Sequence, residues 1–184
     1  MVLETPRLLL REFREEDWRA SNRFEADPEV MRYQLNNVRN GTESLHYILQ
    51  ILEEAQEEPR VVYDLAIVEK KSHQLIGRIG IRIEYDAEEA SLWYLLNRAY
   101  WRKGYTSEAA LAMLRFGFED LHLHRIWADC DPRNTGSYKV MEKIGMRREA
   151  HFRQNIMIKD EWCDSYVYAI LEDEWRENKS KISN

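Results

Sequence analysis

The run Leu75-Ile76-Gly77-Arg78-Ile79-Gly80-Ile81-Arg82-Ile83 sets isoleucine in alternation with arginine or glycine. A period of two places the apolar side chains on one face, which predicts a half-exposed strand. Other stretches follow the helical period instead. Leu45, Ile48, Leu49 and Leu52 fall at i, i+3, i+4 and i+7, predicting a helix over 42–54 that Thr42 can cap. Strands and helices therefore alternate along the chain, which predicts a mixed α/β fold.

The remaining pattern fills in that frame. Residues 7–13 and 61–68 read as strands, and Lys70-Lys71-Ser72-His73 as a turn. Glu15-Glu16-Asp17 suits the first turn of a helix with Trp18 and Phe24 facing inward, and Asp27-Pro28-Glu29 starts a short second helix. Asp86-Ala87-Glu88-Glu89 is expected to turn the chain into a strand over 91–96. A helix over 106–119 and a strand over 125–130 follow, so strand, helix and strand imply a right-handed parallel crossover. Asp131-Pro132-Arg133-Asn134 ends that strand. A helix over 135–144 then stops at Gly145, the place for a left-handed cap. Residues 146–152 and 162–171 are expected to close the sheet as an antiparallel pair around Lys159-Asp160-Glu161. No linker, repeat or change of composition divides the chain, so residues 1–184 are expected to form a single domain.

Composition excludes several classes of function. With 184 residues and 44% of them hydrophobic, a core can form without disulfides or metal. The net charge of −6 disfavours a general basic field, so no nucleic-acid partner is expected. Cys130 and Cys163 show no CxxC or Cys/His ligand spacing, which suits a reducing cytoplasm and gives no reason for a metal. The start lacks a basic segment followed by a long apolar one, and no window approaches about 18 apolar residues, so neither secretion nor membrane contact is expected. His122 and His124 lack a third ligand and read as surface loop. Cys130 has no histidine partner in sequence and reads as a small buried hydrophobe.

The stretch Tyr100-Trp101-Arg102-Lys103-Gly104-Tyr105-Thr106-Ser107-Glu108-Ala109 lies between a predicted strand and a predicted helix. A glycine there lets a ligand approach the backbone, and the free N–H groups of the helix start attract an anion such as pyrophosphate. Neither GxxxxGK[ST] nor GxGxxG occurs, so triphosphate and dinucleotide readings fall away. Together with Thr5-Pro6-Arg7-Leu8-Leu9-Leu10-Arg11, Leu123-His124-Arg125-Ile126, Asp131-Pro132-Arg133-Asn134-Thr135-Gly136-Ser137, Glu142-Lys143-Ile144-Gly145-Met146 and Trp162-Cys163-Asp164-Ser165, this stretch resembles the Gcn5-related N-acetyltransferases (GNAT), in particular their RimJ/RimL branch. The resemblance covers nearly the whole chain.

The resemblance implies a GNAT fold: a mostly antiparallel twisted sheet of about seven strands, a splayed parallel pair in its middle, and helices on both faces. It implies acetyl-CoA as cosubstrate, with no metal. The family's Q/R-x-x-G-x-G/A loop would wrap the pyrophosphate through Trp101, Arg102, Lys103, Gly104, Tyr105, Thr106 and Ser107; Trp101 stands at the Q/R position and Thr106 at the final small one. Tyr94, Leu95 and Leu96 would lend backbone groups to the pantetheine arm. Asn134 matches the asparagine that reaches the pantetheine, and equally suits a helix N-cap. Ser137 matches the serine near the thioester sulfur and would protonate the leaving thiolate, since the tyrosine used by many relatives one turn further on is Met141 here. Ser91 and Ile156 stand where relatives carry a catalytic carboxylate, leaving Glu84, His151 and Asp164 as candidate bases.

The expected activity is N-acetyl transfer to an amine, either a protein or peptide N-terminus or a small amine such as a polyamine or an antibiotic. A homodimer is compatible with the resemblance. Acidic runs at Glu53-Glu54, Glu57-Glu58 and Asp86-Glu88-Glu89 read as solvated faces, which would favour a cationic acceptor if they flank the cleft. The rival from another class is a CoA-binding sensor or scaffold without chemistry.

Overall fold

The computed structural model describes residues 1–84 and 88–182, with the side chains of 179–182 excepted. Eight strands form one sheet: β1 (Val2–Glu4), β2 (Leu8–Glu12), β3 (Val62–Glu69), β4 (Gln74–Glu84), β5 (Glu89–Leu96), β6 (Arg125–Cys130), β7 (Arg147–Ile158) and β8 (Glu161–Leu171). Their order is β1-β2-β3-β4-β5-β6-β8-β7, and among the described residues only β5 with β6 is parallel. The short β1, which the sequence reading did not resolve, is the eighth strand. Of the turn expected before β5, Asp86 and Ala87 lie outside the described residues.

Helices cover both faces. On one side lie α1 (Trp18–Glu25), α2 (Pro28–Met31) and α3 (Gly41–Glu54), where Phe13, Ile48, Ile51 and Ala66 pack together, and Phe24, Val30 and Met31 meet Leu95. On the other lie α4 (Tyr105–Arg115), α5 (Thr135–Lys143) and α6 (Glu172–Ile182), over a core that includes Leu8, Leu10, Leu65, Ile67, Ile79 and Ile81. Asp27 caps α2 by accepting from the Glu29 N–H at 3.0 Å, with Pro28 at the first helical position. Asn40, rather than Thr42, caps α3: its Oδ1 accepts from the Glu43 N–H and the Glu43 carboxylate accepts from the Asn40 N–H, a reciprocal box. Beyond α4 the helix widens into a π turn over Phe116–Asp120.

The alternation in β4 misleads at one point. Arg78 is not on a solvated face; burial is nearly complete, and its guanidinium pairs with Asp64 at 3.5 Å and lies over the Tyr47 ring at 4.4 Å. The face that carries Arg78 is covered by α1 and α3. Burial pushes the Asp64 carboxyl up to about 6 against the pull of Arg78. Gly80 admits the Trp93 indole on that same face, since a Cβ would stand 2.3 Å from its Cζ2.

Candidate active site

The parallel ladder of β5 and β6 is short. It joins Glu89–Arg125, Ala90–Ile126 and Ser91–Trp127, and goes no further. Each strand keeps its other neighbour, β5 with β4 as far as Leu96 and β6 with β8 as far as Cys130. The two strands therefore part in the middle of the sheet. Backbone groups of Leu92–Leu96 that point away from β4 face a gap with no strand across it among the described residues, an edge that an extended ligand can pair with. The family resemblance implied such a splayed pair, and Tyr94, Leu95 and Leu96 fall within the part of β5 beyond the parallel ladder.

At the end of β5 the chain passes through Trp101 to the start of α4. The Trp101 indole N–H donates to the Leu96 carbonyl at 2.8 Å, so this residue fixes the strand end. Arg102 (φ +60°) and Gly104 (φ +79°) both take left-handed conformations, and Gly104 is the N-cap of α4. Among the described residues no side chain caps α4, which leaves the N–H groups of its first turn, Tyr105, Thr106 and Ser107, available to an anion. Tyr105 turns its hydroxyl to Glu69. Thr106 makes no side-chain hydrogen bond among the described residues, and Ser107 is buried.

Two basic residues that the sequence reading did not single out join this turn. A Cβ on Gly104 would lie 3.4 Å from Arg7 Nη2 and 3.9 Å from Lys143 Nζ, so the turn before β2, the loop and the end of α5 converge there. Arg7 donates to the Lys103 carbonyl at 2.9 Å and to Glu108 at 2.6 Å, and stacks over Tyr105 at 4.4 Å. With Arg102 and Lys103, these side chains give the helix start a cationic rim. They are separated by up to 136 positions, from Arg7 to Lys143, and no local spacing signals their meeting.

On the α5 side of the gap, Asn134 caps α5, its Oδ1 accepting from the Ser137 N–H at 3.2 Å. Its amide nitrogen makes no hydrogen bond among the described residues, so capping and ligand binding are compatible. Ser137 meets Tyr94 across the gap: the tyrosine hydroxyl donates to the Ser137 carbonyl at 2.9 Å and lies 3.0 Å from its Oγ. Met141, one turn on, is buried. Burial pushes the Cys130 thiol up to about 12, and Cys163 is raised as well, so neither is a ready nucleophile.

The candidate bases do not gather here. Glu84 pairs with Glu89 at the closed end of the β4–β5 ladder. His151 and Asp164 bind each other at 2.7 Å, and His151 packs on Tyr166, which meets Tyr138 of α5. That pair lies on the α4–α5 face, at the outer strands. A carboxylate does stand at the gap: Asp129, two residues beyond the last paired position of β6. By strand alternation it faces the α1–α2 side together with Trp127, opposite the face of Ala128 and Cys130. The residue is exposed, yet partial desolvation by its surroundings raises its carboxyl above its ordinary value. An isolated Asp in an apolar strand gave no periodic signal; its place follows from where the parallel pair ends.

Among the described residues no His, Cys, Asp and Glu side chains group to hold a metal, and no helix is long and apolar enough to cross a membrane. A family model described as an acetyltransferase (GNAT) domain matches residues 7–147. The chain belongs to this family, and it is an N-acetyltransferase. It is 39% identical over 176 residues to the uncharacterized N-acetyltransferase YnaD of Bacillus subtilis, covering 95% of this chain and 99% of that protein. A crystal structure of a GNAT-family acetyltransferase from Bacillus anthracis superposes with a TM-score of 0.85 at 36% identity, covering 94% of this chain and 99% of the other. The [ribosomal protein uS5]-alanine N-acetyltransferase of Escherichia coli is 27% identical over 84 residues, 46% of this chain and 43% of its own length.

Proposed function

We propose that this chain transfers the acetyl group of acetyl-CoA directly to the α-amino group at the end of a protein or peptide, as a RimJ/RimL-like enzyme. The observation that carries the reading is the early end of the β5–β6 ladder between an uncapped helix start and a carboxylate. The pyrophosphate of the cosubstrate fits the first turn of α4, with Arg102, Lys103 and Lys143 at its rim. The open edge of Leu92–Leu96 fits its pantetheine amides. When bound, acetyl-CoA supplies an activated acetyl thioester. A β5 backbone N–H holds its carbonyl oxygen, Asp129 takes the proton of the attacking amine, and Ser137 protonates the departing sulfur. Both thiols of the chain stay protonated, which suits direct transfer without an acyl-enzyme.

The acceptor side favours a slender amine. Lys159, at the tip of the β7–β8 hairpin, donates to the carbonyls of Met31 at 2.5 Å and Arg32 at 3.3 Å. This clasp bridges the hairpin to the end of α2, a helix on the face toward which Asp129 points, and would narrow an approach from that side. A chain end or small amine passes such an opening more readily than a side chain on a folded surface. The Escherichia coli relative is named for an alanine, whose only amine is its α-amino group, and this supports the chain-end choice. The test places an alanine-ended peptide beside spermidine and reads CoA thiol release. Faster release with the peptide supports the reading; release with spermidine alone returns the small-amine alternative, and none with a broad amine panel leaves a CoA-binding sensor.

A further inference from the structure

Tyr94 confronts Ser137 in a way that the acid role of Ser137 does not by itself require. Its hydroxyl carries one proton and has two acceptors within reach, the Ser137 carbonyl at 2.9 Å and the Ser137 Oγ at 3.0 Å. Two arrangements satisfy this geometry. In the first, the phenol donates to the carbonyl, and the serine hydroxyl donates back to the phenol oxygen. In the second, the phenol donates to Oγ, which frees the serine proton for an outside acceptor.

We propose that Tyr94 is a positioning residue for the transfer step, switching the Ser137 hydroxyl from a resting bond on the phenol to a donor aimed at the departing sulfur. The inference rests on the reading of Ser137 as the acid. At rest the first arrangement holds the serine proton away from the thioester. As the carbon–sulfur bond breaks and negative charge collects on sulfur, the second becomes the stronger, because a hydrogen bond to an ion exceeds one to a neutral oxygen. The Ser137 O–H bond breaks as an S–H bond forms, and a water returns a proton to Oγ in the same step, so that no free alkoxide stands beside the phenol; the hydrogen bond from Tyr94 holds Oγ in place throughout. The proton removed from the amine leaves through Asp129, so one proton is lost and one gained.

Tyr94 keeps its own proton in this scheme. Burial holds its hydroxyl above the usual tyrosine range, with the Ser137 contact pulling the other way. The neighbouring Cys130 thiol, pushed up to about 12, adds no charge. Nor does the fold need the hydroxyl to place Ser137. The first turn of α5 is fixed independently by Asn134, whose Oδ1 and backbone carbonyl accept from the Ser137 N–H at 3.2 and 3.0 Å. The Tyr94 ring packs against the main core, and phenylalanine retains that packing.

The test compares Tyr94→Phe, Ser137→Ala and the double variant, with acetyl-CoA and an alanine-ended peptide, or spermidine should the peptide not turn over. Thermal midpoint and its rise with acetyl-CoA confirm that each variant folds and binds. Tyr94→Phe is expected to lower kcat about 3-fold to 30-fold with KM for acetyl-CoA within about 2-fold, and Ser137→Ala about 10-fold to 1000-fold. The double variant should be no slower than Ser137→Ala, because Tyr94 acts through Ser137. Normal kcat in Tyr94→Phe beside a slow Ser137→Ala overturns the role of Tyr94 and leaves the serine acid standing. Losses that multiply in the double variant also overturn it. Normal kcat in Ser137→Ala, or no turnover of either amine by the unaltered chain, overturns both.

Discussion

Gly104 holds a φ of +79° at the head of α4, and its surroundings leave room for a Cβ, with the nearest atoms Arg7 Nη2 at 3.4 Å and Lys143 Nζ at 3.9 Å. What a side chain would disturb is conformation rather than space. A left-handed conformation costs an ordinary residue about 1–2 kcal/mol, and a β-branched one is a clear outlier there. Gly104→Val is therefore expected to lower the thermal midpoint and to erase the further rise that millimolar acetyl-CoA gives the unaltered protein by mass action. An unchanged rise would separate this loop from phosphate binding. Arg78 makes a second point about single residues. Its isoleucine neighbours mark a strand, but nothing local says that α3 brings Tyr47 over the guanidinium or that Asp64 of β3 meets it. Arg78→Met would leave Asp64 buried without its cation, so a loss of about 3–5 kcal/mol is expected in denaturant unfolding. A change near zero would show that the pair is not needed in the core.

Between elements, the turn before β2 is fastened to α4 by one carboxylate. Glu108 accepts from the Thr5 hydroxyl at 2.6 Å, from the Arg7 N–H at 2.9 Å and from the Arg7 side chain at 2.6 Å. Burial opposes its ionisation, but these hydrogen bonds outweigh that and hold Glu108 below its ordinary value of 4.5. A folded-state pKa that is depressed stabilises above the unfolded value and loses that contribution as pH falls through the folded one. The gap in thermal midpoint between the unaltered chain and Glu108→Gln is thus expected to be full at pH 7 and to close below pH 4.5. A gap independent of pH would contradict a carboxylate latch. The Asn40–Glu43 box at the start of α3 is a simpler case: Asn40→Ala should cost about 1 kcal/mol in denaturant unfolding with acetyl-CoA binding unaltered, and Thr42→Ala much less. Equal costs would return the cap to Thr42.

At the scale of the molecule, elements that obey one period were legible. The helix at Gly41–Glu54, the crossover from β5 through α4 to β6, and the β7–β8 hairpin follow from apolar spacing and turn residues. Gly104 was singled out by its place before a helix and Ser137 through a family resemblance; in the structure Gly104 heads α4 and Ser137 meets Tyr94. Other features needed the third dimension. The α6 segment, with Trp175 stacked on Phe118, has too few apolar residues to show a helical stripe. Asp129 is assigned to the gap by the point at which two strands separate, and Arg7 and Lys143 by the closure of the sheet. The same separation offers the most direct measurement. Amide hydrogen exchange, followed with and without saturating acetyl-CoA, reads the open edge itself. Added protection is expected along Leu92–Leu96 and in the first turn of α4, where free N–H groups gain partners, with little change in β2 and β3. Unchanged exchange at both places, or protection confined elsewhere, would contradict a cosubstrate seat between β5 and β6.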